Sequence, residues 1–296
     1  MSVAKIRSLV VSILMLWIIY PISAIATTFT SWNIEWLSSS HSAKFSESHR
    51  SAADVQKLNQ HFIKTKSDVL AFQEVNDPQI LGDVVGSDYQ LFFSDRSQRS
   101  NRYLQFDDIN QYTGFAVKKG IPTSDPVDFP LDTQSGSKLR FATYIVLYPD
   151  SEQPIHALSV HLKARCAGAY RNDRHCKTLK SQGGVLNKWI KERERQNQAY
   201  VILGDFNHNL GYSGDWLWQS IAKSTNASLA TQLTPADCKV RSRKQPNKTH
   251  QFRSLIDHII VSDKLTASNV QQVTFDTNQV LSYHLSDHCP IQAIIK

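Results

Sequence analysis

The sequence predicts an α/β fold in which a mixed β-sheet core carries helices on its outside. Apolar runs of strand length alternate irregularly with stretches whose apolar residues recur at helical spacing. Many of the runs end in polar side chains, and these lie between position 33 and position 288. No Gly/Ser/Pro-rich linker, low-complexity tract or short repeat divides the chain. If the polar strand ends meet, they meet at one end of a single domain, which we place at residues 27–296.

The first 26 residues have the pattern of a secretory signal peptide. Lys5 and Arg7 precede an apolar core from Leu9 to Tyr20, and small residues follow. A retained membrane anchor is the competing interpretation, but the apolar run is shorter than the about 20 residues that a span requires. We therefore predict a secreted or periplasmic protein with no stable membrane anchor after cleavage. Without this segment the chain keeps 31 basic and 26 acidic residues, a modest positive charge that favours polyanionic partners.

In the first half of the chain, one helix and four strands are predicted. The helix covers about 48–65, where apolar residues such as Leu58 and Phe62 recur at helical spacing. A polar basic loop follows at 96–102. The strands are Thr28–Leu37, Asp68–Val75, Tyr89–Phe93 and Tyr112–Val117.

The second half repeats this alternation. A helical pattern runs through Leu179, Leu186 and Ile190, and a second, shorter one covers Trp216–Ala222. A polar basic stretch at 239–250 is predicted to be a loop. The strands are Arg140–Tyr148, Ile155–Leu162, Ala199–Asp205 and Ser254–Ser262, and an apolar run to Ile295 closes the chain.

Four cysteines in an exported chain are expected to be oxidised, and four allow three pairings. Cys166 and Cys176 bracket a short polar loop and are the natural pair, whose closure would contribute roughly 3 kcal/mol on the chain-entropy model. Cys238 and Cys289 are then left for each other. A zinc site is the rival interpretation, although its ligands lack the tight paired spacing of structural zinc motifs. Those ligands would be His161, Cys166, His175 and Cys176.

The run Ala199–Asp205 is a buried strand that ends abruptly in a carboxylate, and an amide follows at Asn207. Side chains alternate along an extended backbone, so Asp205 and Asn207 point the same way. Asp205 would orient or deprotonate a water, and Asn207 would donate a hydrogen bond to an oxyanion. Hydrolysis of a phosphate ester needs this division of labour, although an ordinary strand with an Asp/Asn turn explains the pair equally well.

Asp257 lies inside the apolar run LIDHIIV, where a carboxylate needs a partner. We predict that His288 is this partner. An Asp that holds one ring nitrogen of a His leaves the other nitrogen free to exchange a proton with water or a leaving oxygen. The alternative is a buried structural pair with no substrate nearby.

Oxygen ligands for a metal ion come from Asn33, Glu74 and Asp287. Hard oxygen donors suit Mg²⁺, Mn²⁺ or Ca²⁺ more than zinc. An ion at this place would neutralise a phosphate and stabilise the departing oxygen.

Seven short motifs in order resemble the endonuclease/exonuclease/phosphatase superfamily, a group of metal-dependent enzymes that hydrolyse phosphate esters. They cover nearly the whole mature chain and read WNIEWL, FQEV, YTGFAV, SVHLK, GDFN, LIDHIIVS and SDHCPI. The resemblance implies a two-layer β-sandwich core flanked by helices, the four-layer α/β sandwich of deoxyribonucleases.

The resemblance also implies roles for single residues. Asn33 and Glu74 would hold the metal, and His288 paired with Asp257 would be the catalytic histidine. The SVHLK strand is similar to that of pancreatic-type deoxyribonucleases and sphingomyelinases, which gives His161 a contact to the scissile phosphate. Arg140 and Tyr112 match positions that contact the phosphate in deoxyribonucleases and apurinic-site nucleases respectively.

Two departures from the family pattern stand out. Pancreatic-type deoxyribonucleases support the middle-strand His with a Glu, and no clear equivalent lies beside Tyr112, so the partner of His161 is open. His258 replaces the aromatic residue or Arg that often follows the late-strand Asp. By strand alternation His258 points away from Asp257, and we expect it to be a packing residue.

Three basic loops near the predicted rim favour a nucleic-acid substrate, because they would track a phosphate backbone. Lys163 is the member expected to bind the substrate phosphate. Ordinary solvated loops are the alternative. The three groups are Arg96, Arg99 and Arg102; Lys163, Arg165, Arg171, Arg174 and Lys177; and Arg241, Arg243, Lys244 and Lys248.

The sequence as a whole therefore predicts an exported, monomeric, Mg²⁺-dependent phosphodiesterase that acts on DNA or RNA. A phospholipid phosphodiesterase of the sphingomyelinase type and a phosphomonoesterase are the alternatives within enzymes. A non-catalytic binding protein on the same scaffold is the alternative outside them.

Overall fold

The computed structural model describes residues 26–296. The predicted signal peptide, apart from Ala26, lies outside the described residues. The α-helices are α1 (Ala52–Thr65), α2 (Pro78–Val85), α3 (Arg174–Arg195), α4 (Trp216–Ile221) and α5 (Thr277–Ser282), and 3₁₀ turns cover Ser46–Ser48, Asp95–Ser97 and Arg99–Leu104. The strands are β1 (Thr27–Leu37), β2 (Val69–Val75), β3 (Tyr89–Phe93), β4 (Tyr112–Lys118), β5 (Thr123–Ser124), β6 (Phe129–Pro130), β7 (Phe141–Leu147), β8 (Ile155–His161), β9 (Ala199–Asp205), β10 (Ser228–Leu229), β11 (Lys239–Arg241), β12 (Thr249–Gln251), β13 (Asp257–Val261), β14 (Ala267–Gln272) and β15 (Ile291–Ile295).

Two mixed sheets form the centre of the domain. The first has the strand order β14-β15-β1-β2-β4-β3, and the second has the order β10-β13-β9-β8-β7-β5 with β6 beside β7. In each sheet one central pair is parallel, β1 with β2 and β8 with β9, and the other pairs are antiparallel. Each parallel pair is joined by a helix, α1 or α3, as a crossover between parallel strands requires.

The sheets pack face to face over an apolar core that contains Phe29, Phe115, Ile145 and Leu203. On the outer faces, α1 and α2 cover the first sheet, and α3 and α4 cover the second. The arrangement is a two-layer β-sandwich flanked by helices, which confirms the predicted fold class.

Three of the predicted segments change in the structure, one of them the strand expected at Ser254–Ser262, which begins at Asp257. The first helix begins at Ala52 rather than near residue 48, because Ser51 and Asp54 form a capping box that starts it. The prediction of a loop at 239–250 was wrong, because β11 and β12 pair there as a short antiparallel hairpin. The exposed polar residues of the hairpin hide the apolar alternation on which strand prediction depends.

Both disulfides pair as predicted, Cys166 with Cys176 and Cys238 with Cys289. No free cysteine remains in the described chain, so the rival zinc site is excluded. The second bond attaches the β11–β12 hairpin to the residue that follows His288. Among residues 26–296, no helix is both long and apolar enough to cross a membrane.

Candidate active site

The polar strand ends meet at one edge of the sandwich, around a cavity of about 990 Å³. The pairing register explains why, because β8 and β9 run parallel with His161 directly beside Asp205, and Asp205 in turn lies opposite Asp257 of β13. A close approach of the backbone keeps β8 and β9 together at this point. A Cβ added to Gly204 would lie 1.9 Å from the carbonyl oxygen of Val160.

Asp257 and His288 form the predicted pair. Nδ1 of His288 lies 2.8 Å from Oδ2 of Asp257, and Nε2 faces the cavity, 3.9 Å from Oδ2 of Asp205. Burial opposes protonation of His288, but the carboxylates of Asp257, Asp287 and Asp205 outweigh it and raise its pKa well above 6.5. His288 therefore carries a proton on Nε2, directed at the cavity.

Asp205 is held by two amides. Its Oδ2 accepts hydrogen bonds from Nδ2 of Asn33 at 3.0 Å and from Nδ2 of Asn207 at 3.1 Å, and its Oδ1 accepts one from the backbone N–H of Asn207 at 2.7 Å. Burial and the nearby Asp257 and Glu74 carboxylates raise the pKa of Asp205 to about 7, although His288 acts in the opposite direction. A carboxylate with this pKa is suited to exchange protons near neutral pH.

His161 has an orienting partner that the sequence did not reveal, and this partner is Arg140. Nε of Arg140 donates to Nδ1 of His161 at 3.0 Å, and Nη2 lies 2.6 Å from the other ring nitrogen. Nε2 of His161 also lies 3.6 Å from Oε1 of Glu74 and 3.5 Å from Oδ2 of Asp205. Burial and the charges of Arg140 and His288 hold the pKa of His161 well below 6.5. A neutral His161 is therefore placed between a cation and two acids.

Glu35 and Arg50 belong to the site but were missed at the sequence level. Oε2 of Glu35 accepts the backbone N–H of Asp287 at 3.0 Å and lies 3.9 Å from the buried guanidinium of Arg50. Burial and the Asp287 carboxylate raise the pKa of Glu35 to about 8, against the effects of Arg50 and Arg243. Strand alternation could not have identified Glu35 reliably, because φ is 45° at Glu35 and 51° at Trp36 and the strand register shifts after Asn33.

Arg243 bridges the acids from the hairpin side. Its Nη2 donates to Oδ2 of Asp287 at 2.8 Å and lies 3.8 Å from Oε1 of Glu35. Because Arg243 is exposed, this contact is screened by solvent and is easily exchanged.

The donor set fits a hard divalent cation. Carboxylates of Glu35, Glu74, Asp205 and Asp287 line the same cavity, and the raised pKa values of Asp205 and Glu35 result partly from neighbouring negative charge that a cation would offset. Ligand-type atoms of Asp205, Asp257 and His288 also lie within 4.8 Å of one another. Within this group, however, Nδ1 of His288 and Oδ2 of Asp257 already form a hydrogen bond with each other. The carboxylates that line the cavity therefore fit an ion better.

Three predicted residues do not line the cavity, and one of them, Asp257, contacts it only through His288. Nδ2 of Asn33 donates a hydrogen bond to Asp205, and Oδ1 of Asn33 accepts one from the backbone N–H of Glu35 at 3.0 Å. Tyr112 is buried, and its ring lies 5.4 Å from the guanidinium carbon of Arg96. Its neighbour Gln111 lines the cavity instead.

The basic loops contribute unequally. Arg96 is not a rim residue as predicted, because it is buried and donates to the carbonyl of Leu104 and to Oδ1 of Asn110. The basic side chains that line the cavity are Arg140, Lys163, Arg165, Arg241, Arg243 and Lys244. As predicted, His258 packs away from the site. It is fully buried, with its ring held by Thr231 and the backbone N–H of Leu210.

The sandwich brings an Asp–His pair, an Asp held by two amides and several open carboxylates together at one edge, an arrangement suited to metal-assisted hydrolysis of a phosphoric ester. The chain belongs to the endonuclease/exonuclease/phosphatase family, whose model matches residues 30–288. Members of this family hydrolyse phosphoric esters and generally depend on a divalent metal ion.

Solved structures agree with this assignment at the level of the fold. An endonuclease/exonuclease/phosphatase from Bacteroides vulgatus is 14% identical with a TM-score of 0.63, and the match covers 92% of this chain and 99% of that one. TDP2 from C. elegans is 17% identical with a TM-score of 0.61 and coverages of 91% and 75%. The catalytic domain of human Nocturnin, with a bound sulfate anion, is 18% identical with a TM-score of 0.58 and coverages of 92% and 94%. No curated protein sequence matches the chain.

Proposed function

We propose that this protein is an exported, Mg²⁺-dependent phosphodiesterase that hydrolyses nucleic acid. The observation that carries the proposal is the cavity itself, in which Asp205, His161 and His288 lie among six basic side chains that line the same space. An acid–base site surrounded by positive charge fits a substrate that presents a phosphate at the reacting centre and further phosphates on either side.

Each residue has a role in this proposal. Asp205 accepts a proton from the attacking water, and Asn33 and Asn207 hold its carboxylate in place. His288, oriented by Asp257, keeps a proton at Nε2 for an oxygen of the reacting phosphate. Arg140 and neutral His161 bind the non-bridging oxygens, together with Asn207 and Lys163.

The metal would be held by Glu74 and Asp287, with Asn33 in support of Asp205 rather than as a direct ligand. A bound divalent ion supplies a positive charge that offsets the charge developing on the phosphate and on the departing oxygen. Mn²⁺ and Ca²⁺ satisfy the same oxygen donors.

Export to the periplasm or out of the cell follows from the signal-peptide pattern of residues 1–26, and the two disulfides agree with an oxidising compartment. We further propose that the mature enzyme works as a monomer.

The test is hydrolysis by the oxidised mature protein of plasmid DNA, single-stranded DNA, RNA, sphingomyelin vesicles and a sugar phosphate, each with Mg²⁺ and with chelator. We expect cleavage of polynucleotide that chelator abolishes and that H288A lacks. Turnover of lipid or of the sugar phosphate without any polynucleotide cleavage would reassign the substrate class.

A matched pair of variants tests the metal site. E74Q should raise the Mg²⁺ concentration needed for half-maximal cleavage, because it removes one charged oxygen ligand. E152Q changes an exposed Glu outside the cavity and should leave the Mg²⁺ requirement unchanged. An unaltered requirement in E74Q would remove Glu74 from the proposed ligand set.

A further inference from the structure

A second cavity of about 640 Å³ lies beside the active site and takes no part in the chemistry described above. We call it the aromatic pocket and define it by Tyr170, His208, Tyr212, Asp215 and Trp216, with Ile256 at its edge. Ile256 lines both this pocket and the catalytic cavity. The two spaces are therefore neighbours across one side chain.

The loops that build the aromatic pocket leave directly from catalytic strands. His208, Tyr212 and Trp216 follow Asn207 after β9, and Tyr170 lies in the disulfide-closed loop that follows His161 and Lys163 after β8. These loops therefore connect the strand ends that carry His161 and Asp205 to the residues that line the aromatic pocket.

Two hydrogen bonds of the His208 ring hold together the loops that build the pocket. Nδ1 of His208 lies 2.8 Å from the carbonyl oxygen of Cys166, and its Nε2 lies 2.6 Å from Oδ2 of Asp215. Both neighbours are acceptors, so both ring nitrogens carry protons and the imidazole is cationic. Asp215 also caps α4 by accepting the N–H of Trp218 at 2.7 Å. The pair thereby joins the disulfide loop to the start of α4.

Two of the aromatic rings in the pocket are exposed and a third supports them. Trp216 contacts Tyr170 edge-on, with ring centroids 5.2 Å apart, and its Nε1 donates to the carbonyl of Gly168 at 3.0 Å. Tyr212 is 72% exposed and Tyr170 is 39% exposed, which is unusual for large rings on a folded surface. Nζ of Lys180 lies over the ring of Tyr170, 5.1 Å from its centroid, so the more exposed ring of Tyr212 is the one open to a flat ligand.

We propose that the aromatic pocket binds an unpaired nucleobase of the substrate strand, next to the nucleotide whose phosphate is cleaved. This inference rests on the proposed function. Flat bases stack on aromatic side chains whatever their sequence, and basic grooves that track the backbone accompany such platforms. The exposed Arg165, which lines the catalytic cavity just before the disulfide-closed loop, supplies that positive charge, whereas Arg171 is paired with Asp173 at 3.0 Å. A base that enters the pocket is unstacked from its strand, so the enzyme should prefer single-stranded substrate.

The test uses binding to the H288A protein, so that no substrate is consumed. A short single-stranded oligonucleotide is compared with copies that carry one abasic residue at each position in turn, and Kd is measured by fluorescence anisotropy. In the H288A background, Y212A should weaken binding of the intact oligonucleotide about 5- to 100-fold. For the copy whose missing base belongs in the pocket, Y212A should change Kd by less than twofold, because the contact is already absent.

Two controls make the result specific. Y212F keeps the ring and should bind like the parent protein. Y103A removes another tyrosine of similar exposure that lines neither cavity, and it should weaken binding equally for the intact and all abasic strands, or not at all. If Y212A weakens every strand equally, or none, the nucleobase site is wrong.

The outcomes separate this inference from the proposed function. Cleavage of the oligonucleotide by the wild-type protein, combined with no base-dependent effect of Y212A, would overturn the pocket and leave the nuclease intact. A wild-type protein that neither binds nor cleaves polynucleotide overturns both.

Discussion

Nδ1 of His288 lies 2.8 Å from Oδ2 of Asp257, and this hydrogen bond joins the first residue of β13 to the loop that precedes β15. The strands β13 and β15 belong to different sheets of the sandwich. The pair therefore forms only when the sheets are packed, which ties the protonation of His288 to the folded state.

Removal of the Asp257 charge should disable catalysis without unfolding the protein. In D257N the side chain keeps its shape but no longer stabilises a protonated His288, so we expect kcat to fall about 10²- to 10⁴-fold with little change in KM. Steady-state kinetics on the preferred polynucleotide measure the effect. D263N, an exposed Asp just beyond β13, is the control. A D257N enzyme with nearly full kcat would leave Asp257 as a structural residue only.

Arg140 should contribute to phosphate binding and to the state of His161. R140Q removes a charge-assisted donor, so kcat/KM should fall about 10- to 100-fold, the equivalent of roughly 1.5–3 kcal/mol. The pKa of His161 should rise, because the positive charge of Arg140 lowers it, and NMR titration of the histidine ring reports this directly. K119A, at the far end of β4 and exposed, should match the wild type. A pKa of His161 that does not move in R140Q would contradict the proposed contact.

Buried neutral histidines should make the fold sensitive to mild acid. Burial lowers the pKa of His258 from 6.5 to about 3, and those of His61 and His156 to about 4. Below pH 6.5 the unfolded chain binds protons that the folded chain does not, so stability is full above that pH and is lost as the pH falls towards 4. By pH 4, protonation of the unfolded chain at His258 alone should lower the free energy of unfolding by about 3 kcal/mol.

The measurement is urea unfolding at several pH values for the wild type and H258Q. The variant should be less stable at pH 7, because it disturbs a packed site, yet should lose less free energy of unfolding between pH 6.5 and 4. H250Q changes an exposed histidine of the hairpin and should keep the wild-type slope. If the free energy of unfolding of H258Q fell with pH as steeply as that of the wild type, His258 would not be buried in its neutral form.

The two disulfides should stabilise the protein unequally. The chain-entropy model assigns about 3 kcal/mol to the Cys166–Cys176 bond, with a sequence separation of 10, and about 4 kcal/mol to Cys238–Cys289, with a separation of 51. Urea unfolding of C166S/C176S and C238S/C289S measures both.

The activity of these variants should differ as well. Cys289 follows His288 directly, so C238S/C289S should lose kcat under conditions where it is still folded. C166S/C176S should instead raise KM, because it loosens the loop that carries Lys163 and Tyr170. If C238S/C289S raised only KM and C166S/C176S lowered only kcat, the roles assigned to the two disulfides would be wrong.

Much of the fold follows from local pattern. Apolar runs such as Ala199–Asp205 are so uniform that only a central strand can bury them. Most predicted strands lie within a residue of their observed bounds, but β13 begins three residues later than predicted and β14 was not predicted. The hairpin at 239–251 escaped prediction because exposed, polar strands carry little periodic signal.

For the site, most of the candidate residues were recognisable from the sequence, although Glu35 and Arg50 were not. Carboxylates and histidines at the ends of apolar strands are costly unless they are paired or used, so Asp205, Asp257 and His288 were identifiable from their context.

The side-chain contacts within the site depend on the tertiary structure. Arg140 forms a hydrogen bond with His161, and Asn33 forms one with Asp205. Tyr112 is buried, whereas Gln111 lines the cavity. Local sequence cannot specify these choices, because each depends on the register of strands from distant parts of the chain and on the packing of one sheet against the other.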